Sequence, residues 1–265
     1  MLITSRDNSL LRRARAVRDG KEHDAIFVEG LRLCDEAVVS GLQIEAAIYS
    51  EEIARKDRAA ELIEKLNKTS ARTAVVSEKL LASISSTKTP QGIILVAGRL
   101  AQDEHNFSSR QPRSPFVVIL HKINNPVNVG AIIRTAEAAG VTGVIATTHT
   151  SDPFSAKGLR GAMGSAFRVP IWTGAHFDAV IDYCRAGNIY TACADAGGGR
   201  LHTEIDWSKA TALIVGSESA GLSAEEIAAG DITVRIPMQG KTESLNVAVA
   251  TGIILYEAAR QRMQK

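Results

Sequence analysis

The sequence is short of the residues that staple a chain, span a membrane or cradle a phosphate. Its three cysteines, Cys34, Cys184 and Cys193, show no paired spacing and no CxxC. That excludes a disulfide framework and a cysteine-built zinc site, and it points to a reducing, intracellular setting. No apolar run approaches the length of a membrane span, and MLITSRDNSLLRRARAV has no apolar centre of the signal-peptide kind. A soluble cytoplasmic protein is therefore the expectation. A GxxxxGK[ST] segment is missing, which argues against an ATP-cradling loop, and GxSxG is missing, which disfavours an α/β-hydrolase. Gly197-Gly198-Gly199 does not open a helix as a dinucleotide fingerprint would, and it reads as a floppy loop. The six histidines are scattered without ligand spacing, so no catalytic metal is expected.

What is present is a chain of 265 residues, enough for two modest domains with cores of their own. A net charge of +2 neither demands nor excludes a nucleic-acid partner. Near the N-terminus Arg12, Arg13, Arg15, Arg18 and Lys21 cluster on a helical pattern whose apolar stripe is Leu10, Leu11, Ala14 and Val17. Strand and helix patterns then alternate: AIFVEG, the helix Leu31 to Ser40, LQIEAAIYS, a charged helix from Glu51 to Lys68, TAVVS, a short helix from Glu78 to Ile84, and GIILVAG. This alternation predicts a small α/β domain over residues 1–98. Residues 99–115 lose periodicity and collect Ser, Pro, Gln and charge, which predicts a linker.

From residue 116 to 265 the pattern becomes that of a parallel α/β sheet. FVVIL is a continuous apolar strand of the kind buried on both faces. Polar loops follow three of the strands, at the ends where such sheets bind ligands. In the first, NNPVNVG, Asn128 sits near a helix start with Arg134 six residues on. The second, GSESAGLS, has glycines that admit close backbone approach and offers Glu218 as a partner for Arg134. Ser223-Ala224-Glu225-Glu226 within it reads as a capping box. The third runs from Ile236 to Arg260 and feeds an unusually apolar helix; such a helix is normally buried on every side. Ser244 and Asn246 stand at its mouth, where a polar group needs a partner or a ligand, or where Ser244 simply caps it. Ile236 and Leu245 offer apolar walls to a flat heterocycle.

The segments NPVNVGAIIRTAEAAGV, LIVGSESAGLS and IPMQGKTESLNVAVATGIILYE, in that order, resemble the SpoU or TrmH-like branch of the SPOUT RNA methyltransferases. RDNSLLRRARAV, FVEGLRLCDEAV and STKTPQGIILV resemble the L30e-like substrate-binding domain often attached to that branch. The resemblance implies an L30e-like α/β domain followed by a SPOUT α/β domain with a parallel sheet and a deep trefoil knot, one of the exceptions to unknotted topology. It implies S-adenosylmethionine as cofactor, a homodimer, and RNA as substrate, with methylation of a ribose 2'-hydroxyl. Ribosomal RNA stands ahead of transfer RNA, and a non-catalytic RNA-binding or assembly protein of the same fold is the reading from another class.

By motif position the resemblance places Gly216, Ile236 and Leu245 on the cofactor, and Asn128, Arg134, Glu218, Ser244 and Asn246 at the reacting site. The Arg12 to Lys21 cluster would then meet RNA phosphates. Ser217 stands where many relatives carry Asn, which implies a changed contact with activity retained. An arginine is a poor proton acceptor because its pKa lies above about 12. Arg134 is therefore expected to act electrostatically, on a phosphate and a developing alkoxide, with Asn128 and Glu218 setting its direction.

Overall fold

A computed structural model describes residues 1–69 and 72–264 of the chain. Lys265, the last residue of the expected second domain, lies outside them. From the N-terminus run β1 (Leu2–Ile3), α1 (Ser9–Arg18), β2 (Ala25–Glu29), α2 (Leu31–Val39), β3 (Ile44–Ser50), α3 (Asp57–Asn67), β4 (Arg72–Val76), α4 (Glu78–Ile84) and β5 (Ile93–Gly98). Then come α5 (Glu104–Ser108), β6 (Phe116–Leu120), α6 (Pro126–Ala138), β7 (Gly143–Thr147), α7 (Ala156–Ala162) and α8 (Ser165–Arg168). The chain closes with β8 (Ile171–Ala175), α9 (Phe177–Ala186), β9 (Tyr190–Ala194), β10 (Arg200–Leu201), β11 (Thr211–Val215), α10 (Ala224–Ala229), β12 (Ile232–Arg235) and α11 (Val247–Arg262).

Two compact units result. The first comprises residues 1–100 together with 154–168, a segment that sequence patterning places in the second domain. Its sheet has the order β1-β4-β3-β5-β2, with β5 antiparallel to both neighbours. The stripe read on α1 is the buried one: Leu10, Leu11, Ala14 and Val17 join Phe27, Ile48, Ile94 and Val96 in the core. Buried Glu29 is tolerated at the end of β2 because its carboxylate accepts from Ser85 Oγ, from Ser86 Oγ and N–H, and from Thr87 Oγ1. Arg160, on α7, donates to Ser86 Oγ at 2.5 Å and fastens the 154–168 segment to this network. The helix expected from Glu51 to Lys68 is broken at Lys56, whose backbone is extended between a 3-10 turn and α3.

The second unit, residues 101–153 and 169–265, is built on a fully parallel sheet of order β10-β12-β9-β11-β6-β7-β8. β6 is buried along its whole length and paired on both sides, which is why it reads as an unbroken apolar run. The chain leaves β6 toward β7 and β8, then returns to the other side through β9 and β11. The order therefore reverses beside β6, and the loops after β6, β9, β11 and β12 open at one end of the sheet. The stretch 99–115 is less of a linker than its composition suggests. It holds α5, capped by Asp103, and Phe107 is buried against Trp172 and Tyr183.

The last helix corrects two expectations. α11 is capped by Asn246, whose Oδ1 accepts from the N–H groups of Ala248 and Val249, so Ser244 lies outside the helix. Nor is α11 buried on every side. It packs on α6, where a Cβ added at Gly252 would stand 3.5 Å from Thr135 Cγ2. The stripe of Val249, Ile253 and Tyr256 beside that contact is exposed by 52%, 38% and 55%. At its far end the Arg262 guanidinium lies 4.6 Å from the Phe116 ring centroid and donates to the carbonyl oxygens of Ser114, Pro115 and Lys209.

Candidate active site

Three loops of the second unit are joined by one chain of hydrogen bonds. Glu218, in the turn after β11, accepts from the Asn124 and Asn125 N–H groups at 3.1 Å each and from Asn128 Nδ2 at 3.0 Å. Asn128 Oδ1 in turn accepts from Asn246 Nδ2 at 3.3 Å. Asn246 spends its own oxygen on the first turn of α11. Each amide is thereby forced into one orientation: an ionised carboxylate can only accept, so Asn128 must show it an NH2 and turn its oxygen to Asn246. Burial pushes the Glu218 carboxyl up, but the Asn128 amide and the two loop N–H groups outweigh it and hold it below the usual value.

Local sequence explains the placement. Asn125 caps α6 through its side chain and Pro126 takes the first helical position, where a missing N–H costs nothing. Asn128 then falls in the first turn of α6 and is buried. Ser217 makes a local contact, its Oγ accepting from Ala220 N–H and its residue bridging Gly221, and it also lines the cavity described next.

Behind this chain lies a cavity of about 530 Å³, within the range of small-molecule sites. Val215, Val234, Ile236, Leu245 and Ile254 give it apolar walls, and Asp195, Glu218, Arg235, Ser244 and Asn246 its polar edge. Gly216 is required by the fold of this wall. A Cβ there would come within 2.4 Å of the Gly221 carbonyl carbon and 2.7 Å of Leu222 N, so only glycine lets the turn double back.

A second bracket braces the loop after β6. Buried His121 contacts Thr147 Oγ1 through Nδ1 at 2.9 Å and Glu226 Oε1 through Nε2 at 2.8 Å. Glu226 also receives Lys122 Nζ at 2.6 Å and closes the expected capping box with Ser223. Lys122 adopts a left-handed φ of 56° to reach it. Burial pushes the His121 imidazole below its ordinary value despite the adjacent carboxylate. Burial also pushes Glu226 up, yet Lys122, the Ser223 N–H and His121 bring it down to about 2. His121 is therefore neutral near pH 7, giving its Nε2–H to Glu226 and accepting from Thr147. Patterning missed this bracket, because a lone histidine after a strand carries no spacing signal.

Of the residues anticipated for chemistry, Asn128, Glu218 and Asn246 are joined, and Ser244 stands on the cavity rim with Gly216, Ile236 and Leu245. What the structure corrects is the expected pairing of Arg134 with Glu218. Glu218 is wholly engaged by the loop after β6 and by Asn128, and it does not pair with Arg134. Arg134 is exposed on α6, on the same face as exposed Val127 two turns earlier, and it does not line the cavity. The basic cluster of α1 is also divided. Arg13 is committed to Glu22, Asp24 and Glu45, Arg18 to Asp19 and the carbonyls of Ser83 and Ser85, and Arg15 to the Arg6 carbonyl. Only Arg12 and Lys21 of the five stand exposed.

A parallel α/β sheet whose cavity opens beyond the ends of β9, β11 and β12, glycine-lined and edged by Glu218 and Asn246 of the amide relay, is a ligand-binding α/β site. The chain belongs to the SpoU rRNA Methylase family, whose model matches residues 115–256, and an MRM3-like substrate binding domain matches residues 10–95. It is 30% identical over 234 residues to the 23S rRNA (guanosine(2553)-2'-O)-methyltransferase RlmP of Bacillus subtilis, covering 88% of each chain. Its structure is similar to an AdoMet-bound rRNA methyltransferase of Sinorhizobium meliloti, with a TM-score of 0.86, 31% identity and coverage of 98% of this chain and 97% of that one. A similar likeness, with a TM-score of 0.86 at 29% identity over 97% and 98% of the two chains, holds to the SpoU methyltransferase AviRb of Streptomyces viridochromogenes with AdoMet.

Proposed function

We propose that the chain methylates a ribose 2'-hydroxyl of ribosomal RNA with S-adenosylmethionine as donor. The observation that carries this reading is the Glu218–Asn128–Asn246 relay at the rim of the cavity, in the family whose relative in Bacillus subtilis bears that activity in its name. The cavity's residues suit the cofactor. Its volume, apolar walls and glycine-tight turn accept a flat heterocycle, and Gly216, Ile236 and Leu245 would hold it. When bound, the cofactor supplies an electrophilic methyl group. The protein's part is alignment: Asn128 and Asn246 have no rotational freedom left, so the acceptor ribose meets a fixed rim rather than one that must be ordered during reaction. Ser244, exposed beside them, offers a hydroxyl toward the acceptor.

Arg134 remains free to stabilise charge on the RNA, and a homodimer gives it a place. Val249, Ile253 and Tyr256 on α11, with Val127 on the adjoining α6, form exposed apolar surface, which soluble chains ordinarily cover. A second copy seated on that face would let Arg134, on the face of Val127, reach across to the partner's acceptor. Residues 1–98 form the RNA-binding part, with Arg12 and Lys21 as its available cations in α1 and just beyond. The trefoil knot belongs to this reading, supported by the way residues 236–247 line the same cavity as 194–196 and 215–221. A cytoplasmic setting follows from the substrate; no helix of the described residues is long and apolar enough to cross a membrane.

The test is methyl transfer from labelled S-adenosylmethionine to ribosomal and transfer RNA fractions from cells lacking the protein. Label in the ribosomal fraction alone supports the reading. Label confined to transfer RNA moves the substrate, and bound cofactor without transfer to either fraction favours the non-catalytic protein.

A further inference from the structure

The triple glycine that reads as a floppy loop is a built turn. Asp195, just past β9, has its N–H bonded to Val234 O and its C=O bonded by the Gly198 N–H, both at 3.0 Å. The Gly199 N–H donates to Thr233 Oγ1 at 2.9 Å. A Cβ at Gly198 would stand 2.8 Å from the Val234 carbonyl carbon, and one at Gly197 would stand 3.2 Å from Asp195 Oδ2. The glycines therefore fold the turn flat against β12 and leave the space around one face of the Asp195 carboxylate free of side chains.

That carboxylate lines the cavity, is half-buried, and has no hydrogen-bond or ion-pair partner among the described residues. The contrast with Glu218 on the same wall, which has three N–H donors, is direct. A carboxylate removed partly from water and left without donors is matched by a ligand that brings them. β9 and β6 flank β11, so Asp195 and the loop after β6 that leads to Asn128 lie on either side of the turn after β11. From the transferred methyl at the relay, the ribose hydroxyls and the amino-acid end of the ligand are separated by similar numbers of bonds, and it is donor chemistry that favours the nucleoside. Its neighbouring ribose hydroxyls present two O–H donors side by side, and two carboxylate oxygens are their complement.

We propose that Asp195 binds the ribose hydroxyls of the cofactor's nucleoside and sets the specificity for a ribonucleoside there. This rests on the S-adenosylmethionine reading. Arg235, the next position on the adjacent strand β12, also lines the cavity, so the competing use of the pair is the amino-acid end of the cofactor.

Calorimetric titration of the full chain separates the two. The probes are S-adenosylhomocysteine, 5'-methylthioadenosine, which lacks the amino-acid end, and the 2'-deoxy form of the latter. Asp195→Ala and Asp195→Asn are expected to weaken both hydroxyl-bearing probes by about 10- to 100-fold, the loss typical of hydrogen bonds to a charged group. The 2'-deoxy probe should bind the wild type more weakly and lose little further in either variant. Unchanged affinity for S-adenosylhomocysteine in both variants overturns the proposal. So does a loss confined to S-adenosylhomocysteine, which would place Asp195 at the ammonium group, or an equal penalty for the 2'-deoxy probe in wild type and variants. A wild type that binds neither hydroxyl-bearing probe overturns the cofactor reading itself. Asp195→Asn is nearly isosteric, and matched thermal unfolding of the variants identifies any loss due to misfolding.

Discussion

The Asn246 amide nitrogen donates to Asn128 Oδ1 at 3.3 Å while the Asn246 oxygen caps the helix that follows. One side chain thus serves stability with one atom and the site with the other, and substitution can separate the two. Asn246→Ala loses both and should cost about 1 kcal/mol of stability, the usual worth of a cap. Asn246→Asp keeps a capping oxygen but replaces the donor, so its unfolding midpoint should stay near wild type while methyl transfer falls at least as far as in the alanine variant. Thermal unfolding and turnover on the same preparations decide it; an aspartate variant with full turnover would remove the amide from the site.

Arg134 should behave in the opposite way. It is exposed and bonded to nothing among the described residues. Arg134→Ala should shift stability by no more than about 0.5 kcal/mol. Affinity for S-adenosylhomocysteine should also hold, since Arg134 does not line the cavity. Methyl transfer should drop sharply, and Arg134→Lys should restore only part of it, because a lysine lacks the planar fork. Single-turnover rates with saturating cofactor check this; a fall in cofactor affinity equal to the fall in rate would put Arg134 in the wrong role.

Much of this architecture is legible in the residues. FVVIL is a strand because it is buried on both faces, and GSESAGLS and the stretch after Ile236 are turns because glycine and polar residues interrupt the apolar pattern there. The three loops could be ranked together because each follows an apolar strand. The partnerships within them could not. A carboxylate six or ninety residues from its partner leaves the same trace in composition, so the pairing of Glu218 with Asn128 rather than Arg134 needed the register of β6 beside β11. The same holds in part for Arg13 and Arg18: Asp19, Glu22 and Asp24 are near them in sequence, but Glu45 and the Ser83 and Ser85 carbonyls come from distant elements. Asp195 escaped notice because it stands beside glycines that suggest mobility until their bonds to β12 are seen.

Ile253→Glu combined with Tyr256→Glu tests the exposed stripe of α11. Both side chains are turned away from the chain's own core, so the variant should fold with an unfolding midpoint near wild type. Its mass by analytical ultracentrifugation should be that of one chain against two for the wild type, since burying two carboxylates at an apolar contact is unfavourable. A wild type of single-chain mass at micromolar concentration would contradict the homodimer.

Acid should loosen the bracket behind the loop after β6. Glu226 falls from an ordinary value of 4.5 to about 2 on folding, so its stabilisation is fully present above pH 4.5 and is lost as pH falls from there toward 2. His121 acts in the same direction earlier: its folded value is lowered from 6.5, so below that pH unfolding takes up a proton. Glu226→Gln should therefore be less stable than wild type at pH 7, with the gap narrowing below pH 4.5. Denaturant unfolding across this range measures it, and a gap that is constant with pH would show that the charge on Glu226 does not matter.

The most direct test of the account is nucleotide-resolution mapping of ribose 2'-O-methyl groups in ribosomal RNA. The RNA would come from cells lacking the protein and be treated with S-adenosylmethionine and either the wild-type chain or Asn128→Ala. One new 2'-O-methyl group is expected with the wild type and none, or a severely slowed appearance, with the variant, although the variant still binds S-adenosylhomocysteine. Full methylation by Asn128→Ala would contradict the relay as the reacting site, and no methyl group with a cofactor-binding wild type would contradict the activity.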